Sequence, residues 1–90
     1  MTIKGVIKKI GETQSFGTSD FTKRDLIILT TDEYPQIFCV EFIKDKTALL
    51  DNFLEGQEVT VSINLRGKEW LNPNTNMTIY ITSINGWKIE

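Results

Sequence analysis

The sequence predicts an all-β protein, a small barrel of bent strands carrying one short helix. Three observations point there. Apolar and polar residues alternate with period two in five separate stretches. Only residues 44–56 switch to an i,i+4 spacing. Glycines fall inside the long alternating stretches as well as between them, where they mark bends or close backbone approach, and a small closed barrel needs both.

The elements follow in order. IKGVIKKIGETQSF (3–16) alternates loosely and reads as a curved first strand, bent near Gly5 and Gly11. GTSD (17–20) is a turn cluster. FTKRDLIILTT (21–31), rich in β-branched and aromatic residues, is the second strand. DEYP (32–35) is a turn, and its proline can open the next strand without removing a ladder bond. QIFCVEFI (36–43) is the third strand, with Phe38, Val40 and Phe42 on one face and Ile37, Cys39, Glu41 and Ile43 on the other. In KDKTALLDNFLEG (44–56), Leu49/Phe53 and Leu50/Leu54 are four apart, which predicts a helix of about two to three turns with Asp45 as N-cap and Gly56 just past its end. QEVTVSINLRGKEW (57–70) returns to period two: Val59, Val61, Ile63 and Leu65 inward, Thr60, Ser62, Asn64 and Arg66 outward. LNPNTN (71–76) is a turn. MTIYITSINGWKIE (77–90) is the last strand, with a bulge or bend expected at Asn85-Gly86. The order β-β-β-α-β-β is the signature of the OB-fold, a five-stranded Greek-key barrel with one short helix between strands three and four. A small α+β sandwich of other topology is the rival reading. Residues 1–90 read as a single domain.

Composition narrows the function. A chain of 90 residues buries roughly 60–70% of the surface its unfolded form exposes, so the core is modest. Hydrophobic residues make up 40% and charged residues 24%, which argues against disorder. No apolar run approaches the ~20 residues of a membrane span, and MTIKGVIKKIGE is interrupted by lysines where a signal peptide would be apolar. A cytoplasmic location without a membrane partner is expected. The lone Cys39 excludes an internal disulfide framework. With no histidine, a zinc site would need carboxylates alone, and Ser-His-Asp and Cys-His catalysis are removed. Asp32, Glu33 and Glu41 show no spacing tied to a reaction. The expectation is therefore a protein that is not an enzyme and has no cofactor or metal. Asn76-Met77-Thr78 matches a glycosylation acceptor, read as chance without a secretory signal.

KKIGETQSFGTSDFTKRDLIILTTDEYPQ, FIKDKTALLDNF, GQEVTVSINLRGKEW and the terminal NGWKIE together resemble a family of small bacterial and phage domains. These are largely uncharacterised and are described as OB-fold proteins similar to single-stranded-DNA-binding proteins. TKRDL, NLRGKEW and GWKIE are the most specific segments, and the resemblance spans nearly the whole chain. It implies the OB-fold, and by similarity it implies single-stranded DNA binding. Bacterial single-stranded-DNA-binding proteins usually carry a long disordered tail with an acidic tip that recruits other enzymes. This sequence stops at Glu90 without one, so binding is expected to work without that device or through a separate partner.

Single-stranded nucleic acid is held by a cationic groove and aromatic platforms, each stacked base contributing roughly 1–3 kcal/mol. In OB-folds the usual surface is strands two and three with the loops joining strands 1–2 and 4–5. Those places carry Phe16 and Phe21 around the first loop, then Lys23 and Arg24, Tyr34 at the second turn, and Arg66, Lys68 and Trp70 leading into the last hairpin. Each has a plainer reading. Asp25 could neutralise Lys23-Arg24, the two phenylalanines could close the barrel, and Trp70 could be core. Trp87 reads as covering a barrel end and Tyr80 as an outward residue. Arg66, Lys68 and Trp70 share a parity unless Gly67 is a bulge. The net charge of −2, from 10 basic and 12 acidic residues, disfavours a strong non-specific binder taken whole, although local clustering sets the field in a groove. LIIL (26–29) with Ile37, Cys39 and Ile43 adds apolar residues to an outer face, which suggests a homo-oligomer, dimer or tetramer, unless the helix packs there. The expected partner is single-stranded DNA, or RNA, bound with little sequence preference. The alternative is an interaction module of the same fold without nucleic-acid binding.

Overall fold

The computed structural model describes residues 1–17 and 20–90. The turn predicted at 17–20 therefore lies in part outside the described residues. Among the described residues six strands form: β1 (Thr2–Ile10), β2 (Gln14–Ser15), β3 (Thr22–Thr30), β4 (Ile37–Ile43), β5 (Glu58–Leu71) and β6 (Thr78–Ile89). A 3₁₀ helix, Lys44–Asn52, joins β4 to β5. The first predicted strand is thus two, separated at Gly11–Thr13, and β2 adds only a short pairing to the start of β3.

The other five strands close a ring. β1 pairs with β3, β3 with β4 and β5 with β6, all antiparallel. β5 pairs back to β1, and β4 meets β6 in a single parallel bridge, Glu41↔Asn85. This is the five-stranded OB-fold barrel. β1 serves two neighbours by bending. Its first half pairs with β5, its second with β3, and an extra residue at Lys8 shifts the register between Ile7 and Lys9. Gly5 sits where the two pairings overlap, and a Cβ there would strike the Leu29 carbonyl.

The core is the inward set of these strands: Ile7, Leu26, Ile28, Val40, Phe42, Val59, Val61 and Ile63, with Leu50 from the helix. The alternation predicted for β4 holds, with Val40 and Phe42 fully buried and Phe38 half-buried. Gly86 closes the packing, since a Cβ at this position would fall inside the Phe42 ring. The bulge expected near Asn85-Gly86 falls one residue later: Ser62 pairs with Lys88 and Ile63 with Gly86, which leaves Trp87 as the extra residue.

The helix differs from expectation in kind and in its caps. It is 3₁₀, the residue before it is the extended Ile43, and no side chain caps its first turn, so Asp45 is not the N-cap. Lys44 instead takes a left-handed conformation (φ 53°), and its carbonyl accepts from Thr47 Oγ1 at 2.9 Å. The helix ends at Asn52, so Gly56 is not its C′ residue. Gly56 (φ 88°) belongs to the following turn, and its N–H donates to Ile7 O at 2.7 Å. The helix covers one end of the barrel through Leu50 and leaves Ile37 and Cys39 on the outer face of β4 exposed. Leu65, expected inward, is 57% exposed. It keeps its inward parity but lies where β5 and β6 have run past the barrel. No helix among the described residues is long and apolar enough to cross a membrane.

Candidate nucleic-acid interface

Beyond Ile63 and Asn85 the two last strands continue as a two-stranded arm, in unbroken register to Leu71↔Thr78. Residues directly opposite in an antiparallel pair share a face. One face therefore carries Asn64, Arg66, Lys68 and Trp70 beside Asn85, Ser83, Ile81 and Ile79. Gly67 pairs in step with Thr82, so it is not a bulge, and the common parity of Arg66, Lys68 and Trp70 stands. The arm ends in a tight turn. Asn74 N–H donates to Asn72 Oδ1 at 2.9 Å, and Asn76 takes φ 55°, a conformation that asparagine tolerates.

This face is concave and basic. A hollow of about 320 Å³ is lined by Arg66, Gly67, Lys68, Ile81 and Ser83. A second, of about 240 Å³, shares Arg66 and adds Lys44, Lys46, Asn64 and Trp87. Among the described residues none of Lys44, Lys46, Arg66 and Lys68 is within ion-pair distance of a carboxylate. Asp45 is the one acid on the lining. Trp70 is 49% exposed and Trp87 47%, so each offers part of its indole to solvent. Among the described residues this face thus combines cations without an ion-pair partner and half-exposed indoles. A further hollow, of about 480 Å³, lies at the opposite mouth of the barrel by Thr2, Thr30 and Phe38. Its cation, Lys4, is already 3.7 Å from Glu58.

The other predicted residues lie elsewhere. Arg24 points into the barrel end, with its side chain 17% exposed. Its Nε donates to Gly11 O at 2.8 Å, and Nη1 donates to Thr47 O at 3.3 Å and to Asp51 Oδ1 at 2.7 Å. That guanidinium staples the helix to the segment just after β1 and has little left for a phosphate. Lys23 faces outward beside Ile43, which lines the second hollow. Its Nζ is 2.8 Å from Glu41 and 3.7 Å from Asp25, so two acids offset its charge. The hydrogen bond to Glu41 raises the Lys23 pKa against the opposing effect of burial. Phe16 and Phe21 pack on one another, with ring centroids 5.9 Å apart at 49°. Tyr34 is 74% exposed in the loop before β4. Lys44, Lys46 and Trp87 were not among the predicted binding residues. The cations of IKDK were legible as charges, but only the bridge between β4 and β6 carries them to Arg66.

The fold is similar to that of solved structures. A crystal structure of Rim1, the mitochondrial single-stranded DNA binding protein of S. cerevisiae, superimposes with a TM-score of 0.70 at 15% identity, covering 100% of this chain and 90% of that one. Its selenomethionine-labelled form gives 0.57 at 13% identity over the same shares. No curated protein sequence matches the chain. Residues 2–90 match the family described as a domain of unknown function, DUF3127, and with nearly its whole length so matched the chain belongs to that family.

Proposed function

We propose that this protein binds single-stranded DNA with little sequence preference along the outer face of the β5–β6 arm. Arg66 and Lys68 contact phosphates there, and Trp70 stacks on a base. Lys44, Lys46 and Trp87 extend the track over the barrel. The observation that carries this reading is the unbroken register that puts Arg66, Lys68 and Trp70 on one exposed face, without a carboxylate partner for either cation among the described residues. The likeness to Rim1 supports it at the level of fold. The chemistry is binding alone, without a catalytic step.

Titration with oligo-dT, followed by tryptophan fluorescence, tests the proposal. Saturable quenching is expected, weakening with salt at a log–log slope of roughly −0.7 per neutralised phosphate. Oligo-U in parallel ranks RNA against DNA. No quenching at low salt, with a folded circular-dichroism spectrum, overturns the reading.

A second reading, a self-associating module, has its own support. Leu65, Leu71 and Tyr80 on the arm and Ile37 on β4 are all more than half exposed, and contiguous apolar surface left in water is what association covers. The two readings combine in a homo-oligomer that binds DNA.

A further inference from the structure

We infer that β6 is the pairing edge of a homodimer, with residues Thr78–Thr82 adding antiparallel to the same residues of a second copy. The inference names the surface for the self-association just proposed and does not depend on DNA binding.

The edge is open. Among the described residues β6 bonds β5 along one side, and on the other it meets β4 only at Glu41↔Asn85. Two bonds fix which backbone groups face out. Ile63 N–H donates to Met1 O, away from β6, while Asn72 N–H donates to Met77 O, toward it. N–H and C=O alternate sides along an antiparallel strand, and the register between these points is unbroken. Ile79, Ile81 and Ser83 therefore spend their backbone groups on β5, while Thr78, Tyr80 and Thr82 direct theirs outward. The strand is exposed from Thr78 to Thr82. Natural proteins guard such an edge with lysine, proline or a bulge. TIYITSI (78–84) has no charge, no proline and no glycine.

The edge also fits itself. Thr78-Ile79-Tyr80-Ile81-Thr82 reads the same in both directions. An antiparallel two-fold at Tyr80 sets Tyr80 against the partner subunit's Tyr80, Thr78 against the partner's Thr82, and Ile79 against the partner's Ile81. The hydrogen-bonded pairs of that ladder fall on residues 78, 80 and 82, the three whose groups point out. Facing threonines and β-branched pairs are favourable cross-strand neighbours, and no like charges oppose. A two-fold contact of this kind is isologous and closes at two copies.

The pairing has a consequence for the site. A dyad between antiparallel neighbours runs normal to the sheet, so the outer faces of both arms stay on one side. One row then crosses four strands: Trp70, Ile79, the partner's Ile81 and the partner's Lys68. Two basic, aromatic hollows become one continuous surface.

Tyr80→Pro is the discriminating variant. Proline there removes an N–H that points outward and breaks no bond to β5, so the arm survives. Sedimentation should show the wild-type chain as a dimer, and Tyr80→Pro as a monomer with an unchanged circular-dichroism spectrum. In a Cys39→Ser background, Tyr80→Cys should cross-link to a dimer under mild oxidation, whereas Tyr34→Cys should not. A wild type that stays monomeric at its highest soluble concentration overturns the pairing and the self-association together. A folded Tyr80→Pro that keeps the wild-type mass overturns the β6 edge alone. If Tyr80→Pro does not fold, absence of the Tyr80→Cys cross-link decides against the pairing. Oligo-dT quenching by monomeric Tyr80→Pro reads the DNA proposal separately.

Discussion

Trp70 and Arg24 show how burial sorts residues of similar promise. Trp70 keeps half its surface in water, so Trp70→Ala removes little that the barrel relies on. It should leave the melting temperature nearly unchanged and weaken oligo-dT binding by about 1–3 kcal/mol, the contribution of one stacked base. A large fall in melting temperature instead would place Trp70 in the structural frame. Arg24 behaves oppositely. Its three hydrogen bonds join the segment just after β1, at Gly11, to the helix, at Thr47 and Asp51, and bonds to a charged group contribute on the order of 2 kcal/mol. Arg24→Ala should lower the urea midpoint and leave the affinity of the remaining folded protein intact. Lys23 supplies a pH test. Its hydrogen bond to Glu41 raises its pKa in the folded state, so the stabilisation is complete below the ordinary lysine value and is lost as pH rises through the raised one. Alkaline denaturation of Lys23→Met should begin from a lower stability and show a flatter pH dependence than wild type. Cys39 should alkylate more slowly than a free thiol at mildly basic pH, because partial desolvation of the thiol, although the residue is exposed, and then the nearby Asp25 and Glu41 raise its pKa.

At the scale of the element, the β5–β6 hairpin is two structures in one. Its barrel half is packed without slack: Gly86 lies against Phe42 with no room for a methyl group. Gly86→Ala should therefore destabilise by about 1–3 kcal/mol or more through overpacking. Its outer half has space, since a Cβ on Gly67 would meet only Ile81 O, at 4.0 Å. Gly67→Ala should shift stability by no more than about 0.5 kcal/mol. Chemical denaturation of the two variants side by side checks both expectations. Equal losses would mean that the arm is packed as tightly as the barrel. The contrast explains why apolar residues such as Leu65 and Leu71 survive on the arm: they keep the strand pattern but have outrun the partners that would bury them.

For the whole molecule the question is how a chain of net charge −2 presents a basic surface. Acids neutralise cations elsewhere: Glu58 beside Lys4, Glu41 and Asp25 beside Lys23, Asp51 beside Arg24, Glu90 beside Lys88. Among the described residues Arg66, Lys68, Lys44 and Lys46 of the outer face have no ion-pair partner, and neither have Lys8 and Lys9 on β1. An interface built on so few charges neutralises few phosphates, so binding should weaken between low and physiological salt with a shallow log–log slope of roughly −0.7 per phosphate contacted. Charge reversal at Arg66 and Lys68 together should flatten that salt slope by roughly one to two, whereas reversal at Lys4 should leave it unchanged. An equal effect from both would mean that net charge governs binding, and not the groove.

Much of this was legible in the chain before folding. Period-two alternation marked the strands and their inner faces, because a side chain's face follows from local backbone geometry. The turn residues separated the elements, and the element order implied the barrel. The shared face of Arg66, Lys68 and Trp70 was legible as parity, and the pairing of Gly67 with Thr82 settled that no bulge breaks it. Other features needed contacts that sequence distance hides. Arg24 sits beside Lys23 in the chain and reads as an equal cation, yet only the packed helix supplies Thr47 O and Asp51 to hold it. The helix read as capped by Asp45, but its form follows from covering the barrel end, which draws Leu50 into the core and leaves Lys44 left-handed. Leu65 obeys its period and is still exposed, because period says which way a side chain points and tertiary structure decides what is there to meet it. By itself, then, the sequence determined strand faces, element order and fold, which are set by local sterics and hydrophobic pattern. The tertiary structure alone decided which cations are spent inside the protein and which remain free, because that depends on residues brought together from distant parts of the chain.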